Sequence, residues 1–449
     1  MSSREPRSNL HTRRAFLRTS ALGAATGWTI PLFLERTFGM LDATAADAAV
    51  QTLTGRDAPI LVVLQLAGGN DGLNTLIPFA DDAYHKARPG LALAADKVLK
   101  LDDRHGLHPN LSALKELHDA GHLAIVQGVG YPNPNRSHFR STEIWQTASD
   151  AQRNESTGWL GRYFDNCCAG ADPAVGVSIG GEVPQAFASP TPTGISFARP
   201  EQYRWRTTET AQGRMSPSEF YYRQLNRPEE EEAGADISEG GSIGMIGGAG
   251  AAHATGLGPL EYLQRTALDA QVSSDKVLEI ARKFPARTEY PRGRLADGLN
   301  LVARMIAGGL PTRVYYVSQG GYDTHANQQG AHERLMSELG GSLAAFFKDL
   351  KLQGNFERVL LMTFSEFGRR VAQNASGGTD HGTAAPLFIV GGGTKPGFYG
   401  APPSLTKLDN GDLIHTTDFR NVYATVLEKW LTAPSEKVLG RKFPTLAFV

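Results

Sequence analysis

Cysteine is nearly missing from this sequence. Only Cys167 and Cys168 occur, and they are neighbours. Adjacent cysteines can bridge only through a strained ring, so there is no disulfide framework and no thiolate zinc site. An excess of charge of one sign is missing as well. The formal net charge is -1, which leaves no electrostatic case for nucleic acid or an anionic membrane surface as a partner. No apolar run is long and uninterrupted enough for a permanent membrane span. No G-x-G-x-x-G follows a strand-like run, and no cysteine pattern suits haem or an iron–sulfur cluster, which ranks a redox enzyme low. What is present is ordinary globular composition, 41% hydrophobic and 20% charged over 449 residues. That suits one large α/β domain with insertions, or two domains.

The amino terminus has three features in order. Thr12-Arg13-Arg14-Ala15-Phe16-Leu17-Arg18 closely resembles the twin-arginine export signal. A moderately apolar stretch follows at 19–34, and small residues cluster at Ala43-Thr44-Ala45, an A-x-A cleavage pattern. Residues 1–45 are therefore expected to be a signal peptide read by the twin-arginine export machinery. The protein is expected to be periplasmic or secreted, with a single domain from 59 to 449.

Short apolar and β-branched runs at 60–66, 123–127, 174–179, 314–317, 359–364 and 386–390 read as buried strands. Amphipathic stretches at 111–119, 265–282, 297–306 and 331–352 read as helices, with Asn110 as the cap of the first. Further helices are expected from about Ser137 to Thr147, and from Phe419 to Leu431 behind Asp418 as cap. In 331–352, Leu335, Leu339, Leu343, Phe346, Phe347 and Leu350 form a core-facing stripe. Alternation of strands and helices predicts an α/β fold, a doubly wound, mostly parallel sheet with helices on both faces. An acidic run at Glu229–Glu232 and a Gly-rich stretch after it read as a surface insertion at about 227–258.

The chemistry clusters where those runs end. GGNDG at 68–72 follows the first run, GGYDTH at 320–325 the fourth and SEFGRR at 365–370 the fifth, while GGTDHG at 377–382 feeds the last. Ligands in open α/β sheets sit beyond the carboxyl ends of strands. Carboxylates and imidazoles delivered there by separate strands suggest a metal site. Asp71, Asp323, His325, Glu366, Asp380 and His381 are the candidate ligands. Glu366 follows a strongly apolar run, where a carboxylate needs a partner, a metal or Arg369. Ser137 and His138 stand where a helix begins, and a hydroxyl there suits a metal-activated nucleophile. Arg136, Arg140 and Arg369 are candidates to clamp a tetrahedral anion.

The order of these residues resembles the DUF1501 family, bacterial proteins with twin-arginine signals, related to the alkaline phosphatase and sulfatase superfamily. The matching stretches are GGNDGLNTLIP at 68–78, GLHP at 106–109, NRSHFRSTEIWQTA at 135–148, GGYDTHANQ at 320–328, SEFGRR, GTDHG at 378–382 and TTDFRNVYATVLEKWL at 416–431. The resemblance implies an alkaline-phosphatase-like fold and in-line displacement at phosphorus or sulfur in a small-molecule or polymer ester. It implies that Asp323, His325 and His381 hold one divalent ion. Asp71, Glu366 and Ser137 would hold another, with Ser137 as nucleophile between the two. One departure is clear. The superfamily commonly has an Asp-His pair where this chain has Glu366-Phe367, so one site lacks a nitrogen ligand. His138 or Asp380 would fill that gap, or an oxygen-rich site would take Mg, Mn or Ca rather than Zn. The alternative is a non-catalytic envelope protein using the same fold to bind a metal, glycan or protein partner.

Overall fold

The structure, a computed structural model, describes residues 58–168, 173–180, 183–189, 194–199 and 277–449. The signal segment 1–45, the insertion at 227–258 and most of the expected helix at 265–282 lie outside the described residues. Each expected strand is present; four run on by one to three residues, that at 359–364 keeps its bounds, and that at 174–179 shortens to Gly176–Ile179. The central sheet is built from β1 (Ile60–Ala67), β2 (Leu123–Gly130), β3 (Gly176–Ile179), β4 (Ile195–Phe197), β5 (Val314–Gly320), β6 (Val359–Phe364), β7 (Ala385–Gly391) and β8 (Gly397–Tyr399). Their spatial order is β8-β2-β7-β6-β1-β5-β3-β4, and β9 (Thr417–Asp418) adds a short pairing to β2. β1 pairs in parallel with both β5 and β6. β7 is antiparallel to both of its neighbours, β2 and β6, and every other pair in this sheet is parallel.

β1 shows why both faces must be covered. Ile60, Val62, Leu64 and Leu66 enter one core cluster, and Leu61 and Val63 the other, because successive side chains alternate across a strand. The first cluster is closed by α2 (Ser112–Asp119), α5 (Arg294–Ala307) and α6 (Gln328–Gln353). The second is closed by α3 (His138–Thr147), α4 (Trp159–Cys167), α7 (Phe419–Thr425) and α8 (Ser435–Leu439). The sheet is thus doubly wound, as its apolar runs predict. A short helix, α1 (Asp82–Ala87), precedes these. No described helix is long and apolar enough to cross a membrane.

Two local expectations change. Asn110 does not cap α2. The helix starts one residue later, and the Asn110 amide instead donates to the Glu333 carbonyl at 3.0 Å, tying α2 to α6. Asp418 does cap α7, accepting from the Arg420 N–H at 2.9 Å. That helix ends sooner than its pattern suggests, in a wider π turn over Val426–Trp430.

Behind the edge of β1, a polar pocket holds two buried imidazoles. His332 Nε2 lies 3.2 Å from Asn70 Oδ1, and the His108 and His332 rings are 5.6 Å apart. Burial pushes both down to about 4. The unfolded chain takes up these protons near pH 6.5, while the folded chain refuses them until about pH 4. Stability is therefore complete above pH 6.5 and falls as pH drops towards 4. The expected loss is on the order of 3 kcal/mol for each imidazole, read as a lower urea midpoint at pH 4.5 than at pH 7. His332→Gln should flatten that slope.

Candidate metal centre

Parallel strands send their carboxyl ends to one edge. β1, β2, β5 and β6 all finish there. β7 runs the other way, so the loop before it arrives at the same edge. Segments 68–71, 131–138, 321–325, 365–370 and 377–384 therefore converge.

Glycines let them approach. Gly68 has φ +117°, and a Cβ there would meet the backbone nitrogens of Tyr322 and Asp323. A Cβ on Gly378 would strike the His325 backbone. Arg369, 1% exposed, bolts the loops together. Its Nε donates to the Gly69 carbonyl at 2.6 Å, and one terminal nitrogen donates to the Thr379 carbonyl at 2.9 Å. The other terminal nitrogen reaches the Tyr322 carbonyl at 2.9 Å, Asp323 Oδ1 at 2.8 Å and the Gly68 carbonyl. With its donors committed in this way, Arg369 is a positioning residue and has none aimed at an outside anion.

Three side chains meet in front of it. His138, Asp323 and His381 each offer a ligating atom, and these atoms lie within 4.8 Å of one another. His381 Nε2 is 3.1 Å from Asp323 Oδ1, and His138 Nε2 is 3.5 Å from Asp323 Oδ2. An ion binding at about 2.1 Å holds its ligands roughly 3.4 Å apart.

The outer hydrogen bonds decide which way the lone pairs face. His381 Nδ1 is 2.8 Å from the Arg136 carbonyl, which can only accept, so Nδ1 carries hydrogen. His138 Nδ1 is 2.9 Å from Glu366 Oε1, a carboxylate behind the imidazole. In each neutral ring the Nε2 lone pair then points towards Asp323. Two acceptors facing a carboxylate repel unless a proton or a cation stands between them. His138 Nε2 is in fact buried without a hydrogen-bond partner. This donor set, two imidazoles with a carboxylate and a supporting carboxylate–histidine pair, fits a divalent transition ion. Burial alone would raise the Asp323 carboxyl, but the Arg369 guanidinium, hydrogen-bonded to it, leads the interactions that hold it at about 2. It is ionised and ready to bind a cation.

The other candidates divide. His325 sits at the rim, its Nδ1 2.9 Å from Asp323 Oδ1 and its ring 4.6 Å from that of His381. Glu366 stands behind His138 rather than beside it. Its Oε1 also accepts from the Gly68 N–H at 2.7 Å, and its Oε2 is buried without a partner. Phe367 packs its ring 4.9 Å from His138 and 4.6 Å from His381, an apolar wall. Ser137 is exposed and precedes α3, but its side chain makes no capping bond, so its hydroxyl is not consumed by the helix.

Four residues are not brought into the group. Asp71 is buried, paired with Arg88 at 2.5 Å, and accepts from Gln328 and from the Leu73 N–H. Its carboxylate is spent on the fold. Arg140 turns away, donating to the carbonyls of Asp150, Ala151 and Arg153. Asp380 is exposed and accepts from Asn374 at 2.9 Å. The Arg136 side chain pairs with Asp412 at 3.1 Å. Sequence reasoning missed the Arg136 backbone carbonyl and Arg88, neither of which carries any local signature.

A family model described as "Protein of unknown function (DUF1501)" matches residues 58–443. No curated protein matches the sequence. Among solved structures, the chain is similar to a protein in the alkaline phosphatase superfamily from Vibrio parahaemolyticus, at 10% identity and TM-score 0.38, over 91% of this chain and 78% of that one. It is similar to the PsFucS1 sulfatase from Pseudoalteromonas sp. at 8% identity and TM-score 0.35, over 93% of this chain and 75% of that one. It is also similar to the lipoteichoic acid synthase LtaP from Listeria monocytogenes at 8% identity and TM-score 0.28, over 81% and 71%.

Proposed function

The chain belongs to the DUF1501 family, and we propose that it is an exported, metal-dependent hydrolase of phosphate or sulfate esters. The observation that carries this reading is the convergence of His138 Nε2, His381 Nε2 and the Asp323 carboxylate, with both Nδ1 atoms committed elsewhere. A divalent ion bound there supplies Lewis acidity to an ester oxygen. The protein's own contribution is orientation. Glu366 holds His138, the Arg136 carbonyl holds His381, and Arg369 holds Asp323. Ser137, adjacent to His138 in the chain and free of capping duty, is the nucleophile in this reading. The twin-arginine-like segment at 12–18 supports export to the periplasm or beyond.

Ser137→Ala is expected to lower turnover of p-nitrophenyl phosphate or sulfate by on the order of a thousandfold or more, with metal content unchanged. If turnover survives, Ser137 is not the nucleophile. The reading also differs in ion count from a two-ion arrangement, since Asp71 is locked to Arg88 and only one ligand group is present among the described residues.

The second reading is a non-catalytic envelope protein that binds a metal, glycan or protein partner. Phe367 favours it, because an apolar ring lines the position where a nitrogen ligand would complete another site. A protein that keeps its ion but turns over no phosphate or sulfate ester would support this alternative.

A further inference from the structure

The far end of α3 carries a cavity that the metal centre does not use. Residues 147–155 meet α7, α8 and the segment after α8 around a space of about 280 Å³. α3 has 10 residues, so this space lies roughly 15 Å along the helix from His138.

Its walls are unbalanced in charge. Arg162 and Arg420 line it from within, and Arg153, Lys437 and Arg441 stand exposed around it. Only Asp150 and Glu155 oppose them among the lining residues. Glu155 pairs with Arg153 at 2.6 Å. Asp150 is shared between Arg420 and Arg441, the latter at 3.0 Å. Arg162 donates to the carbonyls of Thr147, Thr157 and Val438, which satisfy its hydrogens without cancelling its charge. Asp418 pairs with Arg420 at 2.6 Å without lining the cavity, and positive charge still remains in excess.

A second observation is independent of the charges. Ser149 lines the same cavity, is 5% exposed, and has no hydrogen-bond partner for its Oγ. A buried hydroxyl without a partner is costly unless something outside the chain satisfies it. Phe443 supplies an apolar wall, with the Arg441 guanidinium 4.8 Å from its ring.

We propose that this cavity binds a dianionic oxyanion of the phosphate or sulfate type, held by Arg441, Lys437 and the Ser149 hydroxyl. The proposal does not rest on the hydrolase reading. The volume leaves room for more than the tetrahedral group itself, so the anion is either free or the charged end of a small ester.

The test is isothermal titration calorimetry at low ionic strength, where exposed charges are least screened. The titrants are sodium phosphate, sodium sulfate and glycerol phosphate. Wild-type protein and Asp323→Ala should share this binding event, and any further binding seen in the wild type alone belongs to the metal centre. The Lys437→Ala/Arg441→Ala double variant, altered at exposed positions, should bind about tenfold more weakly or worse. Ser149→Ala should weaken binding severalfold. Tighter binding of glycerol phosphate than of phosphate would assign the site to an ester, and the reverse to the free anion. Absence of binding by all three titrants overturns the proposal. So does an affinity lost in Asp323→Ala, or one unchanged in the double variant.

Discussion

Divalent metal content is expected to fall below detection when Asp323 becomes alanine. Asp323 is the single charged ligand of the three, and both histidines face it. Without it, two neutral imidazoles and a buried guanidinium remain, a set with no electrostatic claim on a cation. Glu366→Gln should act more mildly. Glutamine can still accept from His138 Nδ1 and from the Gly68 N–H, but it no longer polarises the imidazole. A loss of about 10–100-fold in affinity is expected, the usual effect of altering a group behind a ligand. Elemental mass spectrometry on the purified protein, followed by competition with a chelator of known affinity, gives both numbers. Two nitrogens and a carboxylate suit zinc better than manganese, magnesium or calcium, which prefer oxygen ligands, so zinc is the ion expected to be taken up. Wild-type metal content in both variants would falsify the assignment of the centre. No uptake of any of the four ions by the unaltered protein would leave the binding-protein reading.

The largest effect on stability is expected from Arg88→Met. Arg88 and Asp71 form an ion pair with both side chains fully buried. Arg88 also donates to Asn74 at 2.9 Å and to the carbonyls of Val371 and Arg370, each at 2.8 Å. It therefore joins the loop after β1 to the segment after β6. Burial alone would raise the Asp71 carboxyl, and Arg88 leads the interactions that together keep it below the ordinary range. Removing the cation strands that carboxylate in the interior, at a cost of about 3–5 kcal/mol. The double variant Arg88→Met/Asp71→Asn leaves no unpaired charge and should recover part of the loss. Guanidinium unfolding midpoints would measure both. A single-variant loss under about 1 kcal/mol, or a double variant no better than the single, would contradict this account.

Much of the architecture was legible because strands leave a short-range trace. β1, β5 and β6 are each read from a run of apolar residues, since a strand buried on both faces has no polar side to show. The glycine-rich stretches after them, and the one before β7, were legible for a related reason, because loops that must pass close to another backbone need residues without a Cβ. Asp323 and His381 were candidates on those grounds. His138 was harder, for nothing around it distinguishes a ligand from the first residue of an ordinary helix.

Asp71 shows where the trace ends. It follows a strand and sits among glycines, as Asp323 does, yet its partners are Arg88 and Gln328, the second of them 257 positions away in the chain. Glu366 is similar, because standing behind an imidazole rather than beside it depends on how two loops from different strands abut.

By itself, the sequence determined the strands β1, β2, β3, β5, β6 and β7, the helices α2, α3, α5, α6 and α7, the two-faced core and the chemical types gathered at one edge of the sheet, while α1, α4, α8 and the short strands β4, β8 and β9 left no readable pattern. These follow from local patterning, where each residue's neighbours in the chain carry the information. The tertiary structure alone decided which carboxylate faces an open donor set and which is neutralised by a buried arginine. It also decided which nitrogen of each histidine is left to bind. Those outcomes turn on distances of about 3 Å between residues far apart in the chain, where a single hydrogen-bond partner changes the role of a side chain.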